Sequence, residues 1–278
     1  TLVVVEDRLR IMDEQGIDME ALSINPFWYR NNDRDKVTEL IRIQNEKLAE
    51  ICAKNPDRFV AFASLALQYP DLAVQQLETA VKKLGLRGAA IGGSVGDDEF
   101  ANPKFHPVWA KAQELGVLLF IHPAGVPALN KRLAGNGVLE NVIGNPLDTT
   151  IALHYLIFDG VLERYPALKI FAVHGGGYLG AYHGRIDHAW GARADAHASL
   201  PKPPTHYLKK IIFDTVVFTP GQLKALVETY GADHVVLGTD YPFDMADFDP
   251  VEHVVSTGFD AAATAAICGG NAKRLLGL

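Results

Sequence analysis

The chain has 278 residues, of which 48% are hydrophobic and 21% charged, and its formal net charge is -7. This size and balance predict one globular domain over residues 1–278, since an α/β barrel commonly takes ~250 residues. The negative charge argues against a nucleic-acid partner, and no apolar run approaches the ~20 residues of a membrane span. Thr1 does not open a secretory signal, and the two cysteines stand far apart, so we expect free thiols and a cytoplasmic protein.

Short apolar runs alternate with amphipathic stretches along the whole chain. The predicted strands are Met19–Ile24, Phe59–Leu65, Arg87–Ile91, Val117–Ile121, Leu168–Val173, Lys210–Phe213 and Val235–Leu237. The predicted helices are Val3–Gln15, Asp35–Lys54, Asp71–Leu84, Pro103–Leu115, Tyr178–Trp190 and Pro220–Tyr230. This alternation predicts a parallel sheet covered by helices. Because the chain opens on a helix, we expect a (β/α)8 TIM barrel whose first strand precedes Thr1; an open doubly wound sheet is the alternative.

Two long segments, residues 124–146 and 191–205, carry no predicted helix or strand. Segments of this length in a compact domain often form lids or interfaces. Both are therefore candidates for covering a functional site or for contacting a second subunit.

Three motifs place a polar side chain where an apolar run ends. They are FIHP at Phe120–Pro123, HGGG at His174–Gly177 and GTDYPFD at Gly238–Asp244. Barrel enzymes assemble their sites from the carboxyl ends of separate strands, so we expect His122, His174 and Asp240 to converge. Imidazole and carboxylate groups suit metal ligation and proton transfer. For each residue, a purely structural role at the top of the core or in a tight turn is the alternative.

The glycines after His174 permit a sharp turn or a close approach of a ligand to the backbone. The amides of the helix predicted to follow could then face an anionic substrate. Asp214 also ends a strand run, so it is a candidate for a residue that contacts the metal ligands without binding the metal itself.

Together with MDEQGID–ALS at Met12–Ser23, NPDRFVAFASLAL at Asn55–Leu67 and GGNAKRLLGL at Gly269–Leu278, these motifs resemble the amidohydrolase superfamily. The resemblance is to its branch of 2-amino-3-carboxymuconate-6-semialdehyde decarboxylase and γ-resorcylate decarboxylase. It implies a (β/α)8 barrel with one divalent metal, zinc first and manganese second. It also implies that His122 and Asp240 ligate this metal and that His174, with Asp240, moves protons. Arg185 matches an arginine that holds a substrate carboxylate.

One family feature is missing from the chain: there is no His-x-His pair. The family carries this pair at the end of its first strand, where it supplies two further metal ligands. We therefore expect the pair to precede Thr1, or else the metal to be absent or weakly held, because catalytic sites usually have three or more protein ligands.

These observations predict a metal-dependent, non-oxidative decarboxylase, a carbon–carbon lyase acting on an aromatic or muconate-type carboxylic acid. Phe27 and Phe243, together with Trp28 and Tyr241, could stack on a flat substrate. A hydrolase or hydratase of a lactone or ring-cleavage product is one alternative, and a metal-free barrel that only binds small acids is another. We expect a homodimer or homotetramer in which Arg185 reaches a neighbouring subunit's site.

Overall fold

The computed structural model describes residues 4–197 and 200–278. Its strands are β1 (Glu20–Leu22), β2 (Phe59–Ala61), β3 (Gly88–Ile91), β4 (Leu118–Ile121), β5 (Lys169–Ala172), β6 (Ile212–Asp214) and β7 (Val235–Val236). Every strand predicted from the sequence is therefore confirmed. Most are shorter than predicted, because the apolar runs extend beyond the residues that pair with a neighbouring strand.

The α-helices of the described residues include six that run for ten residues or more. In chain order they are α1 (Val5–Gln15), α2 (Arg34–Lys54), α3 (Pro70–Lys82), α4 (His106–Leu115), α5 (Asn130–Leu133), α6 (Asn145–Phe158), α7 (Val161–Arg164), α8 (Gly177–Ala181), α9 (Gly184–Ala192), α10 (Ala194–His197), α11 (Pro204–Leu208), α12 (Pro220–Tyr230), α13 (Pro250–Val255), α14 (Ala261–Ala265) and α15 (Asn271–Leu276). None of them is long and apolar enough to cross a membrane.

The helix predictions are confirmed for most of the chain, with one exception. The predicted helix Tyr178–Trp190 is instead two helices, α8 and α9, separated at Tyr182 and His183. The predicted start of the first helix, at Val3, lies outside the described residues.

All strand pairs are parallel, and the strands follow one another in chain order. A bridge between Ala63 and Ala89 joins the pair β1–β2 to the five strands from β3 to β7. Consecutive parallel order is that of a (β/α) barrel, whereas a doubly wound sheet reverses its order partway. Within residues 4–197 and 200–278 no pairing joins β7 to β1. An eighth strand before Thr1 therefore stays a prediction.

From β2 to β7 both faces of the sheet are almost entirely buried, which explains the continuous apolar runs, whereas Ala21 of β1 is exposed. Leu119 and Ile121 of β4 pack into the large core between sheet and helices. Leu118 and Phe120 point the other way, into a smaller cluster with Phe171 of β5. This alternation gives each strand one row of side chains on the inner face of the curved sheet. Because the strands are parallel, the residues just past their carboxyl ends lie at the same end of the sheet.

Candidate active site

His122 is the first residue after β4. Its backbone N–H continues the ladder to the carbonyl of Ile91 (2.9 Å), and Pro123 then ends the pairing because it has no N–H. The ring Nδ1 lies 3.0 Å from the carbonyl oxygen of Pro123. Only a protonated Nδ1 can donate to that oxygen, and in the neutral ring this arrangement leaves the lone pair on Nε2. A metal ligand needs this tautomer.

His174 follows β5 in a left-handed backbone conformation with φ of 55°. Gly175, Gly176 and Gly177 continue with φ between 61° and 80°. At Gly176, a side-chain Cβ would come within 2.5 Å of the Phe213 ring. The glycine run is therefore required by both the backbone conformation and the packing beneath it.

The amides of this turn are occupied from within the protein. Those of His174 and Gly175 donate to the Asp214 carboxylate, both at 2.9 Å. The amide of Gly176 donates to a main-chain carbonyl, and that of Tyr178 to the Thr150 hydroxyl. The turn matches the Gly-x-Gly-x-x-Gly spacing of phosphate-binding loops, but these four amides already donate within the protein. That further amides of the following helix face an anionic substrate stays a prediction.

Asp240 completes a cluster with the two histidines. Its Oδ1 lies 3.7 Å from His122 Nε2 and its Oδ2 lies 3.6 Å from His174 Nε2. One donor atom from each residue lies within 4.8 Å of the other two. Asp240, like His174, has a positive φ, of 54°. Such backbone conformations are uncommon outside glycine and cluster at functional sites.

The electrostatics of the cluster favour an ionised carboxylate beside a protonated imidazole. Burial opposes ionisation of Asp240, but its contacts with His122 and His174 outweigh burial and lower its pKa to about 2. Burial acts to lower the pKa of His174, yet Asp240 and Asp214 together raise it above its usual value. In the absence of a metal, the proton of the pair therefore resides on His174.

The donor set fits a first-row divalent cation. Ligand atoms ~2.1 Å from a tetrahedral metal lie ~3.4 Å apart, close to the separations of the Asp240 oxygens from the two imidazoles. Two imidazole nitrogens and one carboxylate suit zinc, manganese and related ions. The side chains of His122, His174 and Asp240 are only 12%, 16% and 15% exposed.

A cavity of about 640 Å³ opens onto the three residues, within the ~300–1,000 Å³ typical of small-molecule sites. Phe27 and Phe243 line it and remain 78% and 42% exposed. Of the other predicted aromatic residues, Trp28 is buried and donates to the Leu65 carbonyl, and neither it nor Tyr241 lines the cavity.

Arg185 lies apart from this cavity in its own chain. It is exposed on α9 and is not among the described residues that line the cavity. The helix that was predicted to run through it is broken just before, so its position relative to the glycine turn differs from that of a single helix. Contact with a neighbouring subunit's site stays a prediction.

Several cavity residues carry no motif that sequence reasoning could have used. Of the two long segments, 124–146 contributes Asn141, Asn145 and Val142, so its predicted role in covering the site agrees with the geometry. Segment 191–205 contributes none in its described part. Asp148, buried on α6, was also missed; it accepts a hydrogen bond of 2.8 Å from the amide of Ala124, two residues after His122.

A family model described as amidohydrolase matches residues 5–278, and the chain belongs to this family. The predicted superfamily and its barrel class are thereby confirmed.

Similar proteins indicate which branch of the amidohydrolase family the chain resembles. The chain is 32% identical over 277 residues to 2-amino-3-carboxymuconate-6-semialdehyde decarboxylase of Dictyostelium discoideum, covering 98% of this chain and 76% of that protein. It is 32% identical over 266 residues to γ-resorcylate decarboxylase of a Rhizobium species, covering 88% and 79%. A solved dihydroxybenzoic acid decarboxylase from a Polaromonas species, with bound manganese and the inhibitor 2-nitroresorcinol, has a TM-score of 0.90 at 30% identity, covering 99% and 86%. The predicted resemblance to the decarboxylase branch is confirmed.

Proposed function

We propose that the protein is a metal-dependent carboxy-lyase that decarboxylates an aromatic carboxylic acid without oxidation. The observation that carries this proposal is the convergence of His122, His174 and Asp240, from three strand ends, at a cavity large enough for a substituted benzoate. The relatives named above, which are decarboxylases, favour this reaction over the other chemistries that a metal barrel can perform.

In this proposal the two oxygens of Asp240 have different tasks. Oδ1, which faces His122 Nε2, would join that nitrogen in holding the metal, and Oδ2 faces His174. When bound, a divalent metal supplies positive charge that stabilises the negative charge developing on the substrate. This chain supplies two ligands, His122 and Asp240, and two ligands hold a metal weakly, so the predicted weak retention of metal stands as part of the proposal.

His174 and Asp240 would supply the proton of the reaction. The bond between the ring carbon and the carboxyl group breaks, CO2 leaves, and the ring carbon keeps the electron pair. That carbon takes a proton held by His174 Nε2, directly or through Asp240 Oδ2 at 3.6 Å. Without a metal, the His174 pKa is raised and the Asp240 pKa is lowered, which favours a proton on His174 beside an ionised Asp240. His174 would therefore hold the proton, and Asp240 would pass it on.

Phe27 and Phe243 would bind the ring. Both are aromatic, both line the cavity, and both are partly exposed toward it, which suits stacking against a flat substrate. Arg185 would hold a substrate carboxylate in a neighbouring subunit, since it lies outside the cavity of its own chain.

The metal of the Polaromonas structure favours manganese as the first ion to test, and the predicted preference for zinc is tested beside it. The experiment follows CO2 and phenol formation by manganese- or zinc-loaded protein from a panel of hydroxylated benzoic acids, including 2,6-dihydroxybenzoate. One CO2 per phenol, dependent on metal, is the expected result.

Two outcomes would contradict the proposal. Turnover of lactones instead, with label from heavy-oxygen water retained in a carboxylate product, would make the protein a hydrolase that uses its metal to activate water. Protein that retains no metal and turns over none of the panel would be a binding barrel.

A further inference from the structure

The end of β6 lies between the two segments that carry His174 and Asp240, although it contributes no donor atom to the cluster. Its last residue, Asp214, is 4% exposed, and the next, Thr215, is fully buried. Since β6 pairs with β5 on one side and β7 on the other, these two side chains can contact both segments.

On the β5 side, Asp214 binds the turn that carries His174. Its Oδ2 accepts from the amide of His174 and its Oδ1 from that of Gly175, both at 2.9 Å. Successive amides in left-handed conformation form a concavity that binds an anion, and here the anion is the side chain of Asp214. The contact satisfies two buried donors that a left-handed turn leaves without helical partners.

On the β7 side, Thr215 binds the segment that leads to Asp240. Its Oγ1 accepts from the amide of Gly238 (3.1 Å), and its own amide donates to the carbonyl of Val236 (3.1 Å). A Cβ on Gly238 would lie 3.0 Å from Asp214 Cβ. Gly238, two residues before Asp240, is therefore packed directly against Asp214, the residue that binds the turn of His174.

We propose that Asp214 and Thr215 are positioning residues that set the separation between His174 Nε2 and Asp240 Oδ2. The proposal rests on the proposed function for its catalytic consequence, but its structural content is independent of the reaction. Losing the carboxylate leaves two buried amides of a left-handed turn without acceptors. The turn then changes conformation and moves the imidazole of His174. A displacement of ~1 Å at that ring costs on the order of 10²-fold in rate.

The test uses full-length protein loaded with manganese and 2,6-dihydroxybenzoate as substrate. Asp214→Asn keeps the shape of the side chain but offers one acceptor oxygen for the three amides of His174, Gly175 and Val216. We therefore expect kcat to fall roughly 10²-fold with KM within about twofold of wild type. Thr215→Val removes the bond to Gly238 and lowers kcat less, roughly 10-fold, while Thr215→Ser keeps the hydroxyl and restores wild-type kcat.

The matched control is Thr149→Val on α6. Thr149 is fully buried, and its hydroxyl bonds only to a carbonyl of its own helix. This variant loses a buried hydroxyl bond, as Thr215→Val does, so it reports the effect of stability alone. Its kcat is expected to equal that of wild type.

Crystal structures of Asp214→Asn and wild type give a second readout that needs no activity. We expect His174 to leave its positive φ and the Nε2–Oδ2 separation to change by ~1 Å in the variant. An unchanged turn, or kcat changes that Thr149→Val reproduces, would overturn the proposal. If the wild type fails to release CO2 while the variant still shows the displaced imidazole, the proposed function fails and the positioning role stands. If Asp214→Asn does not fold, Thr215→Val and Thr215→Ser test the proposal by the same kinetic and structural measurements.

Discussion

Asp148 offers a test of how burial controls charge next to the site. The side chain is 4% exposed, and its Oδ2 accepts from the amide of Ala124. Burial raises its pKa from 3.8 to about 6, against the hydrogen bond from Ala124 and with a contribution from Glu99. We predict that Asp148→Asn, which keeps an acceptor for Ala124 but removes the buried charge, stabilises the protein at pH 7.5.

The magnitude follows from the difference in pKa between the folded and unfolded states. A shift of roughly 2 units corresponds to ~3 kcal/mol. Because the folded pKa is the higher one, the stability linked to this group is fully present below pH 3.8 and is lost as the pH rises through about 6. At pH 7.5 the substitution therefore adds ~2–3 kcal/mol to the free energy of unfolding, or roughly 5 °C or more in Tm. Near pH 4 the two proteins should differ little.

Thermal unfolding of both proteins at pH 4, 5, 6 and 7.5, followed by circular dichroism, measures this difference. Asp159→Asn, at an exposed position just beyond the same helix, is the control and should show no such trend. The reasoning is refuted if Asp148→Asn is equally stabilised at every pH, or if it is less stable than wild type at pH 7.5.

Three further predictions concern the cavity. His174→Gln should lower kcat ~10²–10⁴-fold while bound manganese stays at the wild-type level, because a glutamine cannot hold the proton; loss of metal with an unchanged kcat per bound metal would contradict this. Phe27→Ala and Phe243→Ala should each raise KM several-fold with little change in kcat, whereas Phe248→Ala, outside the cavity, should change neither; equal effects of all three would remove the stacking role. Arg185→Gln should raise KM without altering subunit assembly, as measured by light scattering, and an unchanged KM would exclude a contact across subunits.

The strand pattern was predictable because the strands from β2 to β7 are almost entirely buried on both faces and therefore appear as apolar runs. The convergence of His122, His174 and Asp240 was predictable for the same reason: each follows such a run, and parallel strands in chain order end at one mouth. The pairing of the His174 and Gly175 amides with Asp214 and of the Gly238 amide with Thr215 depends on contacts between neighbouring strands. No local pattern encodes them.

The errors have equally specific causes. The helix around Arg185 was predicted as continuous, but it ends at Ala181 and begins again at Gly184. Asp148 was overlooked because it lies on a helix rather than at a strand end. Its importance comes from packing against Gly93, where any Cβ would come within 2.3 Å of its carboxylate.

The central claim is that one small space between His122 and Asp240 holds a divalent metal. Anomalous diffraction from crystals grown with manganese measures this directly. We expect a single strong peak ~2.0–2.3 Å from both His122 Nε2 and Asp240 Oδ1, and its loss in His122→Asn. A peak elsewhere in the protein, or none at manganese concentrations that support CO2 release, would contradict it.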